Sequence, residues 1–308
     1  MEIKVINPGI QTTIQDLGRQ LYGPFGVSTC GAADNYSFKI ANLIVGNKPS
    51  EAALEMTLVG GIYRFYKNTT ICLSGSVFSA KINNKVCPFN KKINIKKNSV
   101  LEIGQTTDGS RCYLAIKGGI NVKKYLGSSS THLGTKTGGE NGHALKKGDL
   151  LNIGKPKINR DVYNYNDIIN KVDLKYSTKR SIIRITKGPQ KDWFNNLNWD
   201  TLLKKTFKVS KYFDRMGIRL EGPLIKQKNS NQMLTQGISL GGIQIPGNGQ
   251  PIISFVDHQT TGGYPVIANV ITIDICKVGQ LKKGDSFQFD LVKMKTAEAM
   301  RIEQSTLL

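Results

Sequence analysis

Short runs of apolar positions, some alternating with polar ones, recur along most of this chain. "IYRFY", "TTICLSG", "VFSAKIN", "SVLEIG", "CYLAIKG" and "DLLNIG" are brief β-rich stretches punctuated by Gly, Asn or Lys. Each predicts a strand whose alternate side chains face a core. The same texture returns in "SIIRITKG", "FKVS", "GIRLEG", "GGIQIP", "PIISFV", "NVITIDI" and "SFQFDLV". Many short strands at close spacing point to barrels or sandwiches rather than alternating strand–helix units. A helical period surfaces once with force, in "GAADNYSFKIANLIVGN". There Asp34 is placed as N-cap and Gly46 just past the end, while Phe38, Ala41, Leu43 or Ile44, and Val45 form one apolar face. A weaker helical piece covers residues 192–205.

The two halves end alike. "ALKKGDLLNIG" closes the first at 144–154, and "QLKKGDSFQFDLV" closes the second at 280–292. In both, an apolar residue and two lysines precede a Gly-Asp turn and a strand. Each half also holds an inner Gly-Gly feature, "KGGINV" at 117–122 and "LGGIQI" at 240–245. These parallels predict a mainly β protein of two related domains, with a few short helices. The expected boundaries are a domain at 1–155, a polar linker at 156–180, a domain at 181–295 and a tail at 296–308.

Composition removes several function classes. With 308 residues, 39% of them hydrophobic, the chain can build true cores. No apolar run reaches about 18 residues, so no membrane span is expected. "MEIKVINPGI" lacks the basic-then-apolar pattern of a secretory signal, and a cytoplasmic protein is expected. The net charge of +21 would suit nucleic acid, but the lysines are scattered in pairs among Asn and Ile. No zinc-finger, helix-turn-helix or RNA-binding signature accompanies them, so no nucleic-acid partner is expected, while an anionic substrate or acidic partner stays compatible. Five cysteines, with no CxxC, argue against a disulfide framework or zinc knuckle. Cys72, Cys112 and Cys276 read as buried thiols, and Cys30 has no activating base in its sequence neighbourhood.

Familiar catalytic motifs are missing. "GTKTGG" at 134–139 has Thr135 where a phosphate loop needs an uninterrupted Gly-Lys. The three histidines, at 132, 143 and 258, have no metal-ligand spacing, and no GxSxG elbow occurs. "VKMKT" at 292–296 lacks the second methionine of a biotin-attachment site. No metal site and no attached biotin are expected.

Loop chemistry concentrates elsewhere. In "DHQTTGGYPV", Gly262 and Gly263 are free to take positive φ and expose backbone N–H groups as an anion nest. Gln259, Thr260 and Thr261 add hydrogen-bonding groups, and Pro265 holds Tyr264 extended. A plain hairpin turn explains the glycines but not the residues flanking them. In "DRMGIRL", Asp214 and Arg215 either orient a carboxylate or carboxamide or form a structural pair at a strand entrance. Gln244, Asn248 and Gln250 in "GIQIPGNGQP" suit a planar amide, though turn stabilisation also explains Asn248. Asp34 is divided between capping and a site role.

The order and spacing of "NPGIQTTIQDLGR", "GAADNYSF", "CYLAIKGGI", "KGPQ", "DRMGIRLEGP", "GIQIPGNGQPI" and "DHQTTGGYP" resemble the KipA-type family from about residue 3 to about 295. That family comprises the C subunit of bacterial 5-oxoprolinase, also labelled allophanate hydrolase subunit 2 or biotin-dependent carboxyltransferase-like protein, and is similar to part of urea carboxylase. Against its pattern, Ala33, Ser129, His132, Phe213, Thr235, Gln236 and His258 depart. The resemblance implies two cyclophilin-like β-barrel subdomains. It implies an enzyme subunit that opens the lactam of 5-oxoproline to glutamate with ATP, inactive without its KipI-like and LamB/YcsF-like partner subunits. Loop donors at 259–264 would hold the developing oxyanion and Arg215 the substrate carboxylate. Two other readings attach to the same resemblance: carboxyl transfer from carboxybiotin, as in urea carboxylase, and a non-enzymatic antagonist of a KipI-like kinase inhibitor.

Overall fold

A computed structural model describes residues 2–156, 170–228 and 233–307. The chain forms two compact units, one mainly from residues up to Arg19 and Cys30–Thr178, the other from Gln20–Thr29 and Lys179–Thr306. Of the expected linker, residues 157–169 lie outside the described residues, while 170–178 group with the first unit. The short segment Gln20–Thr29 groups with the second unit although it precedes most of the first in sequence.

The first unit holds two sheets. One runs, in spatial order, Ile120–Asn121, Leu150–Ile153, Ile3–Asn7, Ile62–Phe65, Val100–Thr106, Phe78–Ile82 and Lys85–Val86. The other runs Gln11–Gln15, Ala53–Thr57, Arg111–Ile116, Thr69–Gly75 and Ile93–Ile95. Alternate residues of both supply one core, including Ile3, Val5, Tyr63, Phe65 and Leu101 from the first and Ile14, Leu54, Met56, Leu73 and Leu114 from the second. The helix Asn35–Ile44 packs on the five-stranded sheet, with Phe38 edge-on to Tyr113 at 5.9 Å. All five cysteines are buried and none is in a disulfide. Burial pushes the Cys72 and Cys112 thiols well up, and Cys87 up to about 11, so these behave as apolar packing groups.

Asp34 caps the helix as its sequence position predicts. Its Oδ1 accepts from the Ser37 backbone N–H at 2.9 Å, and its Oδ2 accepts from the Ser37 hydroxyl at 2.7 Å. Gly46 follows the helix with φ of 80°, a left-handed conformation that costs glycine little. Asp34→Ala is expected to lower the unfolding free energy by about 1–2 kcal/mol and Asp34→Asn by less, measured by urea denaturation. Equal losses for both would show that capping is not what the carboxylate contributes.

The second unit is a closed seven-stranded barrel: Ile182–Lys187, Val266–Val270, Gly242–Gln244, Ile252–Ser254, Gly217–Glu221, Phe207–Phe213 and Ser286–Leu291. Neighbours are antiparallel except where Ser286–Leu291 closes on Ile182–Lys187 in parallel. Ile183, Phe207, Val209, Ile218, Leu220, Ile243, Ile253 and Phe287 are buried. The two-residue pleat puts these inside and leaves the intervening residues, such as Gly217, Arg219 and Gln244, on the outer face.

One expectation fails here. "NVITIDI" is not one strand: the strand ends at Val270, a 3-10 turn spans Thr272–Asp274, and a short helix spans Ile275–Gly279. Asp274 explains the change. It is fully buried, and its carboxylate accepts from the Arg184 backbone N–H and guanidinium and pairs with Lys277. A buried charge needs such partners, so it fixes a compact turn within an apolar run. The expected tail forms a helix, Met294–Leu307, rich in the strong helix formers Ala, Glu, Lys and Met.

The repeat in the sequence is a repeat in structure. Gly148 has φ of 98° and its N–H donates to the Val5 carbonyl; Gly284 has φ of 88° and its N–H donates to that of Val209. The Val5 N–H donates to the Asp149 carbonyl, and the Val209 N–H to that of Asp285. Each aspartate carboxylate accepts from the backbone N–H three residues before it, at Lys146 and Lys282. Lys4 lies opposite Leu150, and Lys208 opposite Ser286, at corresponding positions of the two copies.

Candidate functional site

The outer face of the barrel carries a cavity of about 650 Å³, within the usual range for small-molecule sites. Three adjacent strands form its floor. Gly217 lies opposite Ser254, Arg219 opposite Ile252, and Gln244 also opposite Ile252. These residues alternate with Ile218, Ile253 and Ile243, which fill the barrel interior. The rigid core thus fixes the floor from behind. One wall comes from Lys211 to Asp214, and the opposite wall from Ile238 and the segment His258–Tyr264.

Of the residues anticipated from sequence, the cavity brings together Asp214, Gln244, Gln259, Gly262, Gly263 and Tyr264. Asp214 is committed on one side: its Oδ1 accepts from the N–H groups of Met216 and Gly217, at 2.7 and 3.1 Å, which ties the turn between two barrel strands. Gln244 donates to the Ser254 hydroxyl at 2.7 Å. That arrangement leaves the amide oxygen of Gln244 to accept and the Ser254 hydroxyl to donate. Side by side, they match the N–H and C=O of a planar amide. Tyr264 is 49% exposed at the rim.

The other anticipated residues lie elsewhere. Asp34 belongs to the first unit and caps its helix. Asn248 accepts from the Gln250 N–H at 3.1 Å in a turn where Gly249 has φ of 78°, and neither Asn248 nor Gln250 lines the cavity. Thr260 and Thr261 line a neighbouring cavity of about 600 Å³ together with residues of Gly23–Thr29. In that region Ser28 donates to the His258 carbonyl at 2.7 Å.

Arg215 requires a correction. Its guanidinium is not a wall of the cavity but forks onto Asp257, Nε to Oδ2 at 2.8 Å and Nη2 to Oδ1 at 2.9 Å. The pair is only 7% and 5% exposed. The backbones join it: the Asp257 N–H donates to the Arg215 carbonyl. Arg215 therefore bolts the "DRMG" turn to the start of "DHQTTGGYP", and its position behind the wall follows from that fork. The nest expected at Gly262 and Gly263 is corrected too, since neither has positive φ. Thr261–Gly262 instead pairs as a two-stranded ribbon with Gln236–Gly237. The absence of a side chain at Gly262 has a steric cause: a Cβ there would stand 2.4 Å from Ile238 Cδ1.

The cations of the cavity are Lys211 and Arg219, both exposed. Among the described residues no carboxylate pairs with either, although Lys211 stands 5.0 Å from the centre of the Tyr212 ring. Sequence reasoning passed over Arg219. Its signal was the alternation "GIRLE", in which Ile218 and Leu220 point inward and Arg219 must point out. A cavity with two cations that form no ion pair among the described residues, a single carboxylate at Asp214 and an amide-matching Gln–Ser pair suits a small planar anion.

Comparison with known proteins finds relatives over nearly the whole chain. The family model described as carboxyltransferase domain, subdomain A and B, matches residues 25–291. The chain is 34% identical to the 5-oxoprolinase C subunit of Escherichia coli K12, over 98% of this chain and 94% of that one. It is also 34% identical to urea amidolyase of Saccharomyces cerevisiae, over 99% of this chain but 17% of that much longer protein. The crystal structure of Kluyveromyces lactis urea carboxylase superimposes with a TM-score of 0.92 at 32% identity, covering 99% of this chain and 28% of that one. With its family model spanning most of its length, the chain belongs to the carboxyltransferase domain family, subdomains A and B.

Proposed function

We propose that this chain is the substrate-holding subunit of an ATP-dependent 5-oxoprolinase complex, with the cavity on the outer face of its barrel as the lactam site. One observation carries the proposal: Arg219 and Lys211, without a carboxylate partner among the described residues, face the same cavity as the Gln244–Ser254 pair. 5-Oxoproline is a planar lactam bearing a carboxylate. Its carboxylate meets the cations, its ring N–H donates to Gln244 Oε1, and its carbonyl accepts from the Ser254 hydroxyl. Charge-assisted and amide hydrogen bonds of this kind fix orientation as well as affinity. As negative charge builds on the carbonyl oxygen during ring opening, a donor already aimed at it stabilises the transition state more than the ground state.

ATP coupling falls to partner subunits in this proposal. Residues 132–143 form successive turns closed by the bridges His132–Thr137 and Glu140–His143, with no helix after them, so "GTKTGG" lacks phosphate-loop geometry. The partners proposed are one KipI-like and one LamB/YcsF-like protein. The test is turnover of 5-oxoproline by the three purified subunits, singly and combined. Hydrolysis is expected only from the complete set, and hydrolysis by the two partners without this chain overturns the proposal.

A second function has its own support in the urea carboxylase superposition. Carboxyl transfer from carboxybiotin also places a carboxylate beside an amide-like ureido group, and the same cavity chemistry would receive it. Supplying carboxybiotin and urea to the chain and measuring carboxyl transfer separates the two.

A further inference from the structure

The structural repeat provides an internal comparison that exposes a second site, in the first unit. In the second unit, Lys208 lies directly opposite Glu221 across an antiparallel pair, with the following Val209 opposite Leu220. At the corresponding place in the first unit, Lys4 lies directly opposite Arg64, with Val5 opposite Tyr63. The correspondence is fixed by the shared hydrogen bonds of Val5 and Val209 to the two Gly-Asp turns. One copy therefore sets a cation against an anion. The other sets a cation against a cation, an arrangement that destabilises a sheet when left alone.

No ion pair among the described residues of the first unit relieves it, and the acid on the next strand, Glu102, lies opposite Lys81. Lys147, from the Gly-Asp turn, joins Lys4 and Arg64 around a cavity of about 510 Å³, with Tyr66 beside them. Among the described residues none of the three cations pairs with a carboxylate. The nearby Glu2 is committed elsewhere, to the Lys67 ammonium and the Ile153 N–H. Three exposed cations, one of them a guanidinium with a planar fork, converge where the fold's other copy has two lysines and a glutamate, Lys208, Lys283 and Glu221. Mere lysine abundance does not account for this, because the opposing residue is an arginine on a strand facing a lysine in register.

We propose that Lys4, Arg64 and Lys147 form a binding site for a small, multiply charged anion of the phosphate class, separate from the cavity on the barrel. Arginine suits this ligand because its fork meets two phosphate oxygens at once, and two ammonium groups add charge from either side. The site does not depend on the identity of the reaction proposed above.

Pyrophosphate titrated into the full chain at low ionic strength, followed by calorimetry, is the test, with citrate as the polycarboxylate arm. Wild-type protein is expected to bind pyrophosphate, and more weakly as salt is raised. Arg64→Glu, which copies the charge pattern of the second unit, is expected to weaken binding by about tenfold or more. Lys208→Ala, in the second unit, is expected to leave it unchanged. Pyrophosphate should also raise the unfolding midpoint of the wild type and not that of Arg64→Glu, whose own midpoint in the absence of ligand should be no lower than wild type. Equal pyrophosphate affinity in wild type and Arg64→Glu, loss of binding in Lys208→Ala, or tighter binding of citrate than of pyrophosphate would overturn the proposal.

Discussion

Replacing Arg215 with alanine is expected to lower the unfolding free energy by about 3–5 kcal/mol, among the largest losses available to a single substitution in this barrel. The size follows from what is left behind. Asp257 is 5% exposed, and without the guanidinium its carboxylate is a buried charge with both fork contacts gone. Lysine is expected to rescue little, because one ammonium cannot make two parallel contacts to a carboxylate. Replacing both partners together, Arg215→Met with Asp257→Leu, is expected to cost much less than Arg215→Ala alone, since no unpaired charge remains. Urea denaturation of the three variants checks this. A double variant as unstable as the single one would mean that the fork is not the source of the effect. Arg215→Ala should also loosen the cavity, because the pair joins the turn carrying Asp214 to the segment carrying Gln259.

The strands were legible because their signal is local: a β-branched or aromatic run that alternates in burial needs only its own residues to be recognised. The helix at Asn35–Ile44 was legible for the same reason, from a cap, an apolar face and a terminal glycine. The segment after Val270 was not. A stretch buried on all sides is apolar on all sides, so its period vanishes, and what turns it is the pairing of Asp274 with Arg184, 90 residues away. The same division runs through the site. Gln244, Gln259 and Tyr264 stood out as polar chemistry in loops and at strand ends, and all three line the cavity. Arg215 and Arg219 are four residues apart in one motif and could not be told apart by type. Strand phase turns Arg219 outward, and Asp257, 42 residues away, claims Arg215. A contact at that separation leaves no trace in local pattern.

Arg219 is therefore the residue on which the substrate should register. It is exposed on a strand pinned by Ile218 and Leu220, and no carboxylate pairs with it among the described residues, so removing it strands no buried partner. Arg219→Gln is accordingly expected to change unfolding free energy by no more than about 0.5 kcal/mol. A hydrogen bond between a guanidinium and a carboxylate contributes about 1.5–3 kcal/mol, which converts to a loss of roughly 10- to 150-fold in affinity. Because the carboxylate of the proposed substrate takes no part in breaking the lactam bond and keeps its charge throughout, that contact is made before and during reaction alike, and its loss should fall on KM more than on kcat. The most direct measurement is the KM for 5-oxoproline of the assembled complex carrying Arg219→Gln. A rise of about tenfold or more, with kcat largely kept and the unfolding midpoint unmoved, is the expected result. A KM equal to that of the wild type would contradict the placement of the substrate on the outer face of the barrel.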